Sequence, residues 1–461
     1  MAKPEKKTYT VEQIKQEFYQ EFPELKDTVK IIDPRDYKDT EALLKDVRPL
    51  LEEEAELQRR RTLEKGNPIL QKQAQNEAAF KKGLIFMREQ MLKQVLKTGS
   101  PVAMVLGVDP AAETMAGSNR LVFGGNEDLH FETLVWRGLS SGTANTVATF
   151  DKSFGDKLQE QIKDKYYLPK ELNDPNLLQT FVLDHELGHA ATAHMIKQDK
   201  VLTHDVPQYW ECIADSYALI RHYQRFGEDS KFGEYWSAFR SSAAVMVPDP
   251  VHWTSEAMEK VMDLNKQGVL KNLTPKQAIE LAVKIADDCG FGLDESPNIN
   301  KAFGTSPLKA AFTETVGKSV VSTLKGLWSK SAKPQPQAGE EKAEKEDGFL
   351  KKMENSFMRQ CLDRLENKDN TVRKIGDIAL KTQSSAVYRV AKDFVNTIDR
   401  IWPDLDPEKL EEARRAVNGR KDVPQTEPER SWKEQMLHDM KTAEIRKHRK
   451  NGSGNSGRFM R

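Results

Sequence analysis

Apolar residues recur every three to four positions along most of this chain, the spacing that lines one face of an α-helix. Between residues 10 and 98 this pattern predicts several helices. One stripe is Leu43, Leu44, Val47, Leu50 and Leu51, and a second is Phe80, Leu84, Met87, Met91 and Val95. Pro49 and Gly66-Asn67-Pro68 read as breaks and Gly99 as the stop. No heptad is sustained, so these helices need a partner surface, either the rest of the chain or a protein that they recruit. Between 100 and 150 the period shortens toward strands at Val102 to Val108, Arg120 to Phe123, His130 to Trp136 and Asn145 to Phe150.

Helical spacing returns near residue 174. Asp174 offers a cap and Pro175 suits a first helical position, after which Leu178, Phe181, Val182, His185 and His189 share one stripe. A second helix is signalled by Asp205 and Pro207 at its start and Gly227 at its end, and a third by Thr274-Pro275 and Gly290. Ser306-Pro307 opens a further helix bearing Phe312, Val316, Val320, Val321, Leu324 and Trp328, suited to burial or to a membrane surface. The expected organisation is an N-terminal helical region 1–99, a catalytic domain 100–328, a polar linker 329–346, a C-terminal helical region 347–417 and a basic, disordered tail 418–461.

Composition narrows the function classes. Only 38% of the 461 residues are hydrophobic and 31% are charged, so not all of the chain is core. Lys plus Arg equals Asp plus Glu at 71 each, which gives no charge-based reason to expect a specific nucleic-acid partner. Cys212, Cys289 and Cys361 are odd in number and far apart, which fits reduced thiols. No apolar leader and no window of membrane-span length is present, so the expectation is a soluble chain without a transmembrane segment. It would be cytoplasmic, or exported by a route that needs no N-terminal signal.

The candidate chemistry lies in Phe181-Val182-Leu183-Asp184-His185-Glu186-Leu187-Gly188-His189-Ala190. Two histidines four apart share a helix face and can hold a zinc ion, with Glu186 beside the metal's open position. A catalytic zinc takes a third protein ligand. His194 lies nine residues after His185, where the metzincin pattern requires a histidine at ten; Met195 stands there, and Thr192 replaces that pattern's glycine. The better candidate is Glu211 in Tyr209-Trp210-Glu211-Cys212-Ile213-Ala214-Asp215. Glu211 and Asp215 are one turn apart, so Glu211 can bind metal while Asp215 accepts a hydrogen bond from a ligand histidine. A solvated acidic face is the alternative, opposed by apolar Trp210, Ile213, Ala214 and Ala218 around it.

His185-Glu186-Leu187-Gly188-His189 followed by Glu211-Cys212-Ile213-Ala214-Asp215 resembles the gluzincin branch of the zincin metallopeptidases. The Glu-x-x-Ala-Asp form is similar to that of peptidases related to the CAAX prenyl proteases and, more distantly, to thermolysin. The resemblance covers residues 100 to 265 at most, and its specific part is two short helices. It implies an α+β fold, with a zincin-like domain of small sheet plus active-site helices within a mainly helical chain. It also implies one zinc per chain on His185, His189 and Glu211, with Glu186 as general base and Asp215 supporting a ligand histidine. The substrate would be a protein or peptide. The CAAX-type relatives are membrane-embedded and this chain offers no such span, so the site carries over and their substrate does not.

Gluzincins also place a His or Tyr downstream to stabilise the oxyanion, and His252, just before a helix capped by Thr254 or Ser255, resembles that residue in the CAAX-type relatives. A histidine there serves equally as a structural hydrogen-bonding residue, and Tyr217, Tyr223 and His222 are weaker candidates. Two other functions fit the same residues: a zinc hydrolase of non-peptide amides, and a helical scaffold or adaptor with an inactive zincin core.

Overall fold

The computed structural model describes residues 7–26, 29–33, 36–65, 68–98, 102–105, 119–123, 174–192, 206–246, 250–292, 295–304 and 366–420, with isolated positions 359 and 363. In chain order the helices are α1 (Val11–Glu21), α2 (Thr40–Lys65), α3 (Pro68–Gln75), α4 (Glu77–Thr98), α5 (Pro175–Thr192), α6 (Val206–Phe226) and α7 (Phe232–Met246). They continue with α8 (Ser255–Lys266), α9 (Pro275–Cys289), α10 (Glu295–Phe303), α11 (Lys368–Lys381), α12 (Ser385–Thr397) and α13 (Pro407–Asn418). Strands are β1 (Lys30–Ile32), β2 (Val102–Val105) and β3 (Asn119–Phe123).

The expected α+β class is corrected: the protein is mainly α-helical. The described strands are 3, 4 and 5 residues long, in the order β1-β3-β2, with β1 parallel and β2 antiparallel to β3. Such a ribbon is too small to form one face of a core, and helices supply the buried layers instead. β1 arises where helices alone were expected. The strands read at 130–136 and 145–150, the helix read at 306–328, the linker and most of the tail lie outside the described residues.

Several helix boundaries follow from capping. Asp174 Oδ1 accepts the Asn176 N–H at the start of α5, and Gly227, at φ +102°, closes α6 in the left-handed region that a residue with a Cβ resists. Thr274 and Gln277 exchange capping-box bonds at the start of α9, and Gly290 follows its last turn. Pro49 does not break its helix. It lies within α2 on an exposed position, where water can take over the carbonyl that its missing N–H leaves unbonded.

One apolar core runs from α1 through α5 to α10 and on into α11, α12 and α13. The C-terminal helices therefore pack into the same core as the site helices, with α12 against α7 and α10. A separate cluster joins Ile32 on β1 to Leu43, Leu44, Val47 and Leu51 on α2, the last four belonging to the first stripe. The N-terminal helix is tied to the site helices by charge: Arg225 on α6 pairs with buried Asp184 on α5 and, at 2.7 Å, with Glu17 on α1. Arg221 reaches Glu21 at 2.8 Å. Tyr9 and Asn176 exchange hydrogen bonds of 3.1 and 2.8 Å beside these pairs. Phe181 anchors α5, its ring lying 4.8 Å from Phe232 and 4.9 Å from Trp236.

Candidate metal centre

α5 and α6 pack against each other, and the glycine between the two histidines explains how close they come. A Cβ built on Gly188 would lie 3.2 Å from Ala214 Cα and 3.1 Å from Tyr217 Cδ1, inside ordinary contact distance. Gly188 and Ala214 thus let the backbones of the two motifs approach, and their polar residues converge on one side of that contact.

His185, His189 and Glu211 each offer one ligand atom, all within 4.8 Å of one another. The two Nε2 atoms are 3.2 Å apart, and Glu211 lies 3.3 Å from His185 and 3.5 Å from His189. The His185 and Glu211 side chains keep 9% and 16% exposure, so the cluster is sheltered yet reachable. Glu211 Oε2 is buried with His185 Nε2 at 3.3 Å and no better-placed donor, a position that a cation between them would satisfy more fully. Two imidazole nitrogens and a carboxylate turned toward one point form the donor set of a catalytic zinc, so these residues fit the implied metal.

Asp215, one turn after Glu211 and fully buried, accepts from His185 Nδ1 at 2.7 Å and so directs Nε2 toward the cluster. Thr254 Oγ1 donates to Asp215 Oδ2 at 2.5 Å; this hydroxyl caps the carboxylate rather than α8. Arg240 on α7 completes the set, donating from Nε to Oδ2 at 2.7 Å and from Nη2 to Oδ1 at 3.1 Å while stacking 5.3 Å over Trp236. Sequence reasoning missed Arg240. Its signal was present, because a lone arginine in the otherwise apolar and small-residue run Trp236 to Met246 must find an anion when buried.

The electrostatics follow from this packing. Burial alone would raise the Asp215 carboxyl, but Arg240 and His185 hold it well below the usual carboxylate range. Burial likewise opposes ionisation of Glu211, and His252, His189 and His185 together overcome it and push its pKa well down. Burial would lower the His185 pKa, yet Asp215 and Glu211 raise it to about 10. Without metal, a proton on His185 supplies the positive charge that these carboxylates require.

Glu186 follows His185 on α5 and is half-buried. His252 ends a 3-10 turn at Pro250–His252 with Nε2 3.8 Å from Glu211 Oε2 and a 34% exposed side chain, so the fold does bring it to the cluster. The weaker candidates serve packing. Tyr217 lies buried against Gly188, and Tyr223 is buried beside Gly233. His222 stacks 4.7 Å from Phe232, and burial together with Arg225 pushes its pKa down to about 3. Cys212 faces away from the cluster, its sulfur 3.0 Å from Gln208 Nε2, and Cys289 is a second buried free thiol. His194 lies outside the described residues, among which no helix is long and apolar enough to cross a membrane. Compared with known proteins, the chain matches no family model, no curated protein and no solved structure.

Proposed function

We propose that this protein is a zinc-dependent peptidase of gluzincin type. The observation that carries the reading is the convergence of His185, His189 and Glu211 from two helices, with Asp215 on the far nitrogen of His185. A zinc ion held by these three side chains supplies Lewis acidity to water and to a substrate carbonyl. Glu186 takes the proton from the attacking water and passes it to the leaving amine, and His252 donates to the oxyanion that develops on the carbonyl. Asp215, gripped by Arg240 and Thr254, keeps His185 in the tautomer that presents Nε2. The substrate is a protein or peptide, and buried free thiols at Cys212 and Cys289 support a reducing compartment such as the cytoplasm.

Elemental analysis of the purified protein beside a Glu211→Ala variant tests this reading. About one zinc per chain in the parent and little in the variant is the expected result. A parent that takes up no zinc after reconstitution rejects it, leaving the helical scaffold.

A further inference from the structure

The turn that brings His252 to the cluster is held on two sides. On the side of the metal helices, Thr254 donates to Asp215 and Gln208 Nε2 donates to the Trp253 carbonyl at 2.8 Å. The other side is a helix about 140 residues further along the chain. There Asp393 Oδ2, on α12, accepts the Trp253 indole N–H at 2.9 Å and also the Ser255 hydroxyl. One turn earlier on α12, Arg389 donates to Glu256 Oε2 at 3.0 and 2.8 Å and stacks 5.3 Å over the Trp253 ring. Trp253 is itself buried and stacks 5.0 Å from Phe291, with 5° between the ring planes.

Every residue from 253 to 256 is thus anchored through its side chain, and His252 is the next residue back. Two donors on one carboxylate oxygen restrict the turn to a single geometry, and an imidazole that must meet a developing oxyanion gains from that restriction. We propose that Asp393 is the positioning residue for His252, acting through Trp253 and Ser255, so that the C-terminal helices complete the catalytic centre. The proposal rests on the reading of the site as a peptidase centre.

The test is a double-mutant cycle on the full chain, with peptide hydrolysis and zinc content read together. Asp393→Ala keeps one zinc per chain and the parent KM but lowers kcat about tenfold or more. Asp393→Asn retains a carbonyl oxygen for both donors and restores most of the rate. In a His252→Ala background, Asp393→Ala has less than about a twofold further effect. Equal loss in both backgrounds overturns the proposal, as does an Asn variant as slow as the Ala one. If Asp393→Ala does not fold, Trp253→Phe and Ser255→Ala, each removing one donor, enter the same cycle. A parent that binds zinc and hydrolyses no peptide sinks the peptidase reading, and the His252 ring resonances in the zinc-loaded protein then decide. They shift in the Ala variant and hold in the Asn variant, whereas resonances unmoved in both overturn the positioning role.

Discussion

Gly188 rests so close to the backbone of Ala214 that a methyl in its place would fit only if the neighbouring helix gave way by a few tenths of an ångström. The contact joins the fourth residue of His185-Glu186-Leu187-Gly188-His189 to the fourth of Glu211-Cys212-Ile213-Ala214-Asp215, so spacing between α5 and α6 sets the spacing of the candidate ligands. Gly188→Ala should therefore push the helices apart, destabilising the protein by about 1–3 kcal/mol and weakening zinc binding. Urea denaturation and a zinc titration check this together, and a variant with parental stability and affinity removes the close-approach account.

Arg240 is the largest counter-charge on a fully buried carboxylate, and its loss leaves Asp215 only His185 and the Thr254 hydroxyl. Arg240→Met should cost about 3–5 kcal/mol, with zinc affinity falling about 10–100-fold as Asp215 loses its orientation. Arg240→Lys should recover little, because an ammonium cannot reproduce the two-pronged contact. Denaturant midpoints and metal titrations of both variants provide the comparison, and full recovery by lysine would argue for simple charge neutralisation.

Glu186 carries the proton in the proposed reaction and is not a ligand. Glu186→Gln should keep about one zinc per chain while peptide hydrolysis falls by about 10²-fold or more. Loss of the metal in this variant would move Glu186 into the ligand set.

The His185 pKa of about 10 lies above its ordinary 6.5, and a zinc ion binding as proposed would have to displace the proton from Nε2. In the metal-free protein, the stability supplied by protonated His185 is present in full below about pH 6.5 and is lost as pH rises toward 10. Apparent zinc affinity should accordingly rise by about tenfold per pH unit across that window, one proton leaving for each metal bound. Competition with a chelator of known protonation, run at several pH values, measures the slope; a flat profile contradicts a protonated His185.

Phe181 lies one turn before His185 and fastens α5 to Phe232 and Trp236. Phe181→Ala should cost about 3–5 kcal/mol by opening a cavity between these rings. Thermal unfolding of the zinc-free protein isolates this packing effect from metal stabilisation.

The local part of the protein was legible in its sequence. Helical periodicity placed Leu178, Phe181 and His185 on a buried face, and Asp174, Gly227, Thr274 and Gly290 mark helix ends because capping depends on a few neighbouring residues. The His185–His189 and Glu211–Asp215 pairs were readable for the same reason, since spacing along a helix is set by its pitch, whereas their meeting rests on the packing of α5 against α6. Short-range patterns carry no information about which faces meet. They overstated the sheet, took Pro49 for a break although exposure relieves its cost, and were silent on Arg240, whose partner is 25 residues away. The bond between Asp393 and Trp253 spans 140 residues, and no residue near either one encodes it. That contact depends on how α12 packs into the shared core, and long-range burial, unlike helix pitch, is decided only when the whole chain has folded.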